Sequence, residues 1–269
     1  MRKLTKLWRV YIQWMKIHWA ILLEYRGDTF FYMLGGFISP IVTLAVWMTV
    51  SGGGTIGSYD RRDFILYFLS IMFVSRLTAS WDAWEIEVHI REGTLSGYLL
   101  RPSSYLHYRI AENLVYKLFY GVVMVVAWVI AWPFTDVVHI SLAPANVVTI
   151  LLAILLACAT RYLLYYNLGL LGFWTTRTSA IIGFVEALSM FLSGRIAPYA
   201  LLPDWVKASQ SFTPFYWNLG FPVDLMTGKL SGSAVWQGLG VQAIWLVIFI
   251  VVYKLLWGQG LRKHSAVGG

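Results

Sequence analysis

Six apolar runs, each close to the ~20 residues that a helix needs to cross a hydrocarbon core, constrain this chain more than any other feature. They cover Thr29 to Val50, Phe64 to about Trp81, Leu118 to Phe134, Val147 to Leu171, Ala180 to about Ala200, and Val235 to Leu256. Lipid offers no water to backbone N–H and C=O groups, so runs of this length are expected as helices. The fold class that follows is an all-α integral membrane protein with six transmembrane helices, organised as one transmembrane domain over residues 1–269. Composition agrees, since 58% of residues are hydrophobic and 13% charged, where soluble domains carry about a quarter charged.

The fifth run is the least regular, because it contains Glu186, Gly194, Arg195 and Pro198. After it, residues 196–230 are too apolar for a free loop and too interrupted, by Pro203, Pro214 and Pro222, for a span. They are expected to enter the membrane from the outer side and return, as short re-entrant helices.

Ahead of the first span, residues 1–26 read as an interfacial helix. Leu4, Trp8, Tyr11, Ile12, Met15, Trp19 and Leu22 fall on one face, opposite Arg2, Lys6, Arg9, Gln13 and Lys16. Basic residues interrupt any signal-peptide core, and no small-residue cleavage site precedes Arg26.

The net charge of +8 sits at span ends rather than in a basic patch with interleaved aromatics, which argues against a nucleic-acid partner. With a cytoplasmic N-terminus, that side holds Arg2, Lys3, Lys6, Arg9, Lys16, Arg26, Arg91, Arg101, Arg109, Lys117, Arg177, Lys254, Arg262 and Lys263. The outer side holds only Arg61, Arg62, Arg195, Lys207 and Lys229. The asymmetry places both termini and residues 82–117 in the cytoplasm. Cys158 is the single cysteine, so no intrachain disulfide forms. The two halves show no repeat of the kind that builds many secondary transporters.

Residues 82–117 are a charged island between two spans. Asp82, Glu85, His89 and Glu92 share one helical face and Trp81, Trp84 and Val88 another. Gly93 ends that helix, Gly97 loosens the chain, and Arg101-Pro102 forbids helix at residue 101. Ser103 or Ser104 then caps a second helix that carries Tyr105, Tyr108, Arg109 and Glu112. Such an elbow is either a surface for another protein or a solvated loop.

A search for chemistry finds little. The five histidines are scattered without metal-ligand spacing, and Gly52 to Gly57 lacks the Lys and Ser or Thr of a phosphate loop. No serine sits in a nucleophile elbow. Within the spans, Arg76, Arg161, Glu186 and Arg195 are costly unless paired or wet. Either they line a polar pathway, or Arg161 pairs with Glu186 while Arg76 and Arg195 snorkel to the interfaces.

Over nearly its whole length this layout resembles the permease subunit of type-2 ABC exporters. Glu92-Gly93-Thr94-Leu95-Ser96 with Tyr98-Leu99-Leu100-Arg101-Pro102, Leu201-Leu202-Pro203 before Trp205, and the tail Ser265 to Gly269 are similar to the bacterial branch of ABC-2 family transporter proteins. The resemblance implies a bacterial cytoplasmic membrane location and a dimer with a second copy or a paralogue. It also implies two separate ATP-binding subunits, which hold the ATP and Mg. Residues 82–117 would be the coupling elbow, with Asp82, Glu85, His89, Arg91, Glu92, Gly93, Arg101 and Pro102 at the ATPase interface. The chain has no Walker motif and is not itself expected to be an enzyme or to bind a cofactor. The other readings are a stand-alone secondary transporter or channel and, last, a membrane-embedded enzyme. Nothing matches a polysaccharide, drug or lipid subgroup, so the cargo stays open.

Overall fold

A computed structural model describes residues 2–131 and 144–264. Residues 132–134 of the third expected span, His139, and the tail 265–269 lie outside the described residues.

The chain begins with α1 (Arg2–Glu24) and α2 (Arg26–Ser51), followed by α3 (Arg61–Thr78), α4 (Asp82–Arg91), α5 (Leu95–Leu99) and α6 (Tyr105–Ala131). Next come α7 (Pro144–Leu170), a 3-10 turn Leu171–Phe173, and α8 (Thr178–Leu192). Three short helices, α9 (Asp204–Ser209), α10 (Phe215–Asn218) and α11 (Gly220–Met226), lead to α12 (Ser233–Lys263). No strand occurs among the described residues.

Among the described residues, four helical stretches are long and apolar enough to cross a membrane: Arg26–Ser51, Arg61–Arg91, Asn146–Phe173 and Ser233–Lys263. The third and fifth expected spans correspond to α6 and α8, neither of which is among the four. Helix α8 has only 15 residues, because the chain turns at Gly194 with φ 86°. Tyr67 Oη donates to the carbonyl of Gly194 at 2.7 Å, and Trp47 Nε1 donates to that of Ile196 at 2.8 Å. The expected helix through Ala200 is therefore replaced by a pinned turn.

Helix α7 is the centre of the fold, with α3, α4, α8, α10, α11 and α12 all packed on it. One core, built from Ile86, Leu95, Tyr105, Tyr166, Phe173 and Phe249, lies at the end that holds α4, α5 and the C-terminus of α12. Another, with Tyr59, Phe64, Tyr67, Ile154 and Val223, lies at the far end. A third joins α8, α9, α10, α11 and α12 through Leu192, Val206, Phe215, Phe221 and Leu239. Helix α4 approaches α7 closely at Gly169, where a Cβ would lie 2.9 Å from the carbonyl oxygen of Ala83. By contrast α2 has a single buried residue, Pro40, and exposes Phe31, Ile38 and Val50.

On α1, Tyr11, Trp14, His18 and Leu22 pack against the rest of the protein, while Trp8, Ile12 and Trp19 of the apolar face remain exposed. The reason is α6: Tyr11 Oη lies 2.5 Å from His107 Nδ1, and Trp14 and His18 meet the ring of Tyr108. Between the two elbow helices, Gly97 does not loosen the chain but sits inside α5. Leu95 is wholly buried, so apolar anchoring outweighs the cost of a helical glycine.

Candidate functional site

Two groups of polar side chains stand out, one in the elbow and one beside the break between α3 and α4. In the elbow, the antiparallel return of α6 brings Arg109 against the first turn of α4. Its Nε donates to Asp82 Oδ1 at 3.0 Å, and its Nη1 donates to Glu85 at 3.2 Å and to Glu112 at 2.5 Å. Ser80 Oγ and Asn113 Nδ2 donate to the other oxygen of Asp82 at 2.9 and 3.2 Å. Burial opposes the charge of Arg109, but Asp82, Glu112 and Glu85 outweigh it and hold the guanidinium above its ordinary range. Three carboxylates share this one cation. Burial, with repulsion from Glu85 and Asp82, pushes Glu112 up to about 7 against the pull of Arg109. Close by, burial and then Arg109 lower His18 to about 4 against the attraction of Glu85, so its imidazole is neutral at physiological pH.

The expected interface set divides accordingly. Asp82 is fully buried and acts as an internal strut, whereas Glu85 accepts from Arg109 with a side chain that stays 42% exposed. His89 is turned inward too, with Nδ1 2.6 Å from Tyr105 Oη. Arg91 and Glu92 are exposed, and Arg91 donates to Glu87 at 3.0 Å. Gly93 ends the helix with φ 73°. Arg101 and Pro102 are exposed, with the Arg101 guanidinium 4.7 Å above the Tyr98 ring.

Sequence reasoning passed over the tip itself. Leu99 is exposed and Leu100 is 88% exposed, on a short helix anchored by buried Leu95 and by Tyr98 among His89, Tyr105 and Tyr108. Ser96 Oγ lies 3.0 Å from His264 Nε2, tying this tip to the end of α12. An apolar pair at the turn of an otherwise charged island was the available signal.

The second group surrounds a cavity of about 500 Å³ lined by α2, α3, α7 and α8. Arg76, Arg161, Arg195 and Glu186 all reach it. Arg161 is nine-tenths buried, donates through Nη1 to Thr78 Oγ1 at 3.2 Å, and lies 5.6 Å above the Tyr165 ring. Arg76 lies between the rings of Tyr32 and Tyr120 at 5.8 and 5.7 Å. It rests on the backbone of α2, where a Cβ at Gly36 would fall 0.8 Å from its Nη2. Arg195 sits on the pinned turn after α8. Among the described residues Glu186 makes no ion pair with Arg161. Instead Tyr165 interacts electrostatically with both. The sequence-level pairing of Arg161 with Glu186 is thus not direct, and Arg76 and Arg195 point to the same cavity rather than apart.

The cavity wall includes Ala79, Ser80 and Trp81, the residues between α3 and α4. A helix break leaves carbonyls without intrahelical partners. Lys117 Nζ donates to the carbonyls of Leu77 and Ala79 at 2.7 and 3.0 Å, and Cys158 Sγ donates to that of Leu77 at 3.2 Å. Cys158 is therefore a backbone partner and not only packing. Among the described residues, no group of His, Cys, Asp and Glu is arranged to hold a metal ion.

A family model described as ABC-2 family transporter protein matches residues 37–268. No curated protein and no solved structure matches the chain.

Proposed function

Since the chain belongs to the ABC-2 transporter family of membrane proteins, we propose that it is the permease subunit of an ATP-driven exporter in a bacterial cytoplasmic membrane, coupled to two separate ATP-binding subunits. Those subunits hold the ATP and Mg. Two copies of this chain, or one copy and a paralogue, form the path between them. On this reading α6 and α8 complete six spans with the four long helices, α9, α10 and α11 form the outer re-entrant region, and both termini face the cytoplasm.

The single observation that carries the reading is the elbow tip. Residues 91–102 present Arg91, Glu92, Leu99, Leu100 and Arg101 outward around the short helix α5, which buried Leu95 anchors. An exposed apolar pair flanked by charges suits a partner's groove, with the leucines as anchors and the charges setting register. The load then has a route. Force on α5 reaches α4 and α6 together, because Arg109 joins Asp82 and Glu85 of α4 to Glu112 of α6. From α4 it passes to α7 through the close approach at Gly169.

Co-expression with a candidate ATP-binding subunit tests this. A permease holds that subunit through affinity purification in detergent and supports ATP hydrolysis that depends on the intact tip. A stand-alone channel or secondary transporter purifies without it and moves solute with no ATP.

A further inference from the structure

We propose that the arginine cavity, together with the aromatic groove that adjoins it, binds an amphiphile with an anionic phosphate or carboxylate head, and that this is the chemical class of the cargo. The cargo half rests on the permease reading above; the binding half does not.

The first support is charge. Arg76, Arg161 and Arg195 face one cavity from three elements, and Glu186 is the one carboxylate that lines it. Cations at membrane depth are costly unless compensated, and the protein leaves more positive than negative charge here. An anion supplied from outside completes the balance.

The second is rigidity. Long side chains that merely snorkel keep their freedom, whereas each of these is held. Thr78 and Tyr165 fix Arg161, and its Nε has no hydrogen-bond partner among the described residues. Tyr32, Tyr120 and the bare backbone at Gly36 fix Arg76. Hydrogen bonds from Tyr67 and Trp47 fix the turn that carries Arg195. Preorganised guanidinium groups are the donors best suited to phosphate and carboxylate.

The third is shape. A second cavity of about 410 Å³ shares Tyr32 and Trp81 with the first. Its other walls are mainly apolar or aromatic, including Ile21, Tyr25, Tyr116 and Tyr120, with Asp28 its one charged residue. A polar chamber walled in common with a mainly apolar one matches a head joined to a hydrocarbon body, and exceeds what a free inorganic anion needs.

The test uses the purified full chain in dodecyl maltoside, titrated separately with dodecyl phosphate, inorganic phosphate and dodecyltrimethylammonium. Dodecyl phosphate is expected to bind saturably, at least tenfold more tightly than inorganic phosphate, and the cationic amphiphile not to saturate. Arg76→Gln and Arg195→Gln should each weaken dodecyl phosphate at least tenfold, while Arg76→Lys retains most of the affinity. Should the arginine variants fail to fold, Glu186→Gln serves instead and should tighten binding. Unchanged affinity in the folded arginine variants, or in Glu186→Gln, overturns the site. Equal binding of inorganic and dodecyl phosphate overturns the amphiphile. In the complex with ATP-binding subunits, dodecyl phosphate should raise ATP hydrolysis severalfold, and Arg195→Gln should remove the increase. Binding without that increase in an ATPase-active complex marks a resident lipid and overturns the cargo assignment. Failure to form any such complex, with binding intact, counts against the permease reading alone.

Discussion

Arg109 and Asp82 meet at 3.0 Å across 27 positions of the chain, and both are buried. This contact turns what reads as an acidic docking stripe into the internal brace of the elbow. Breaking one side of a buried pair costs about 3–5 kcal/mol, because the surviving charge stays desolvated. Asp82→Asn and Arg109→Gln should therefore each lower the thermal midpoint and folded yield sharply. The double variant should lose less than the two losses added together, by roughly 0.5–3 kcal/mol. Thermal unfolding in detergent is the measurement, and strictly additive losses would show that the two residues act independently.

Glu112 supplies a pH dependence. Its folded-state pKa is raised from 4.5 to about 7, so the folded protein keeps a proton that the unfolded chain releases. Stability from this group is complete below about pH 4.5 and is lost as pH rises to about 7. The loss is roughly 3 kcal/mol at most. Glu112→Gln keeps an acceptor for Arg109 and cannot ionise, so its midpoint should fall less than wild type between pH 5 and pH 8. Parallel profiles would remove Glu112 as the titrating group.

The tip predicts a separation of assembly from coupling. Leu100 is 88% exposed, so Leu100→Asp should leave yield and thermal midpoint within about 0.5 kcal/mol of wild type. Retention of the ATP-binding subunit should nonetheless fall tenfold or more, since a buried interface anchor is worth 2 kcal/mol or more. Full retention by Leu100→Asp would move the contact elsewhere on the elbow.

Neighbouring glycines on α2 give an internal control for the Arg76 cradle. A Cβ on Gly36 collides with the Arg76 guanidinium, whereas one on Gly35 meets nothing within 4 Å. Gly36→Ala must displace the end of the Arg76 side chain and should lower the midpoint, by less than a clash with backbone would, and Gly35→Ala should be neutral or slightly stabilising. Adding Arg76→Ala to Gly36→Ala should recover part of the loss. Equal midpoints for the two glycine variants would mean that Arg76 rests elsewhere.

Orientation is testable with two single cysteines in a Cys158→Ser background, where the hydroxyl keeps the donor to Leu77. An impermeant thiol reagent applied to intact cells should label Ser58→Cys and spare Ser104→Cys. Both positions are exposed in the protein. The reverse pattern would invert the topology and place the elbow outside.

Much of the architecture was legible because lipid imposes a one-dimensional rule: a helix must be long and apolar enough to span. That rule found α2, α3, α7 and α12 directly. The stop at Gly93 needed only a residue that tolerates positive φ. Family membership, too, was carried by short runs such as Glu92 to Ser96 and Tyr98 to Pro102.

What periodicity could not supply was which face of each helix finds a partner. Asp82 reads as part of a docking face on the elbow because nothing local reveals Arg109, which arrives only when α6 folds back on α4. His18 lay outside the apolar face by its chemistry, yet it is buried beside Tyr108 because α6 presents an aromatic ring there. Arg161 and Glu186 look like a pair on charge alone, but once α3 and α7 are packed Arg161 donates to Thr78 and Tyr165 interacts with both charges. The sequence by itself determined the long apolar helices, the stop at Gly93 and the class of protein, since these depend on local propensity and on solvation by lipid. Only the tertiary structure decided which charges are spent inside and which remain for a partner or a ligand, because that depends on distances of a few ångströms between residues far apart in the chain.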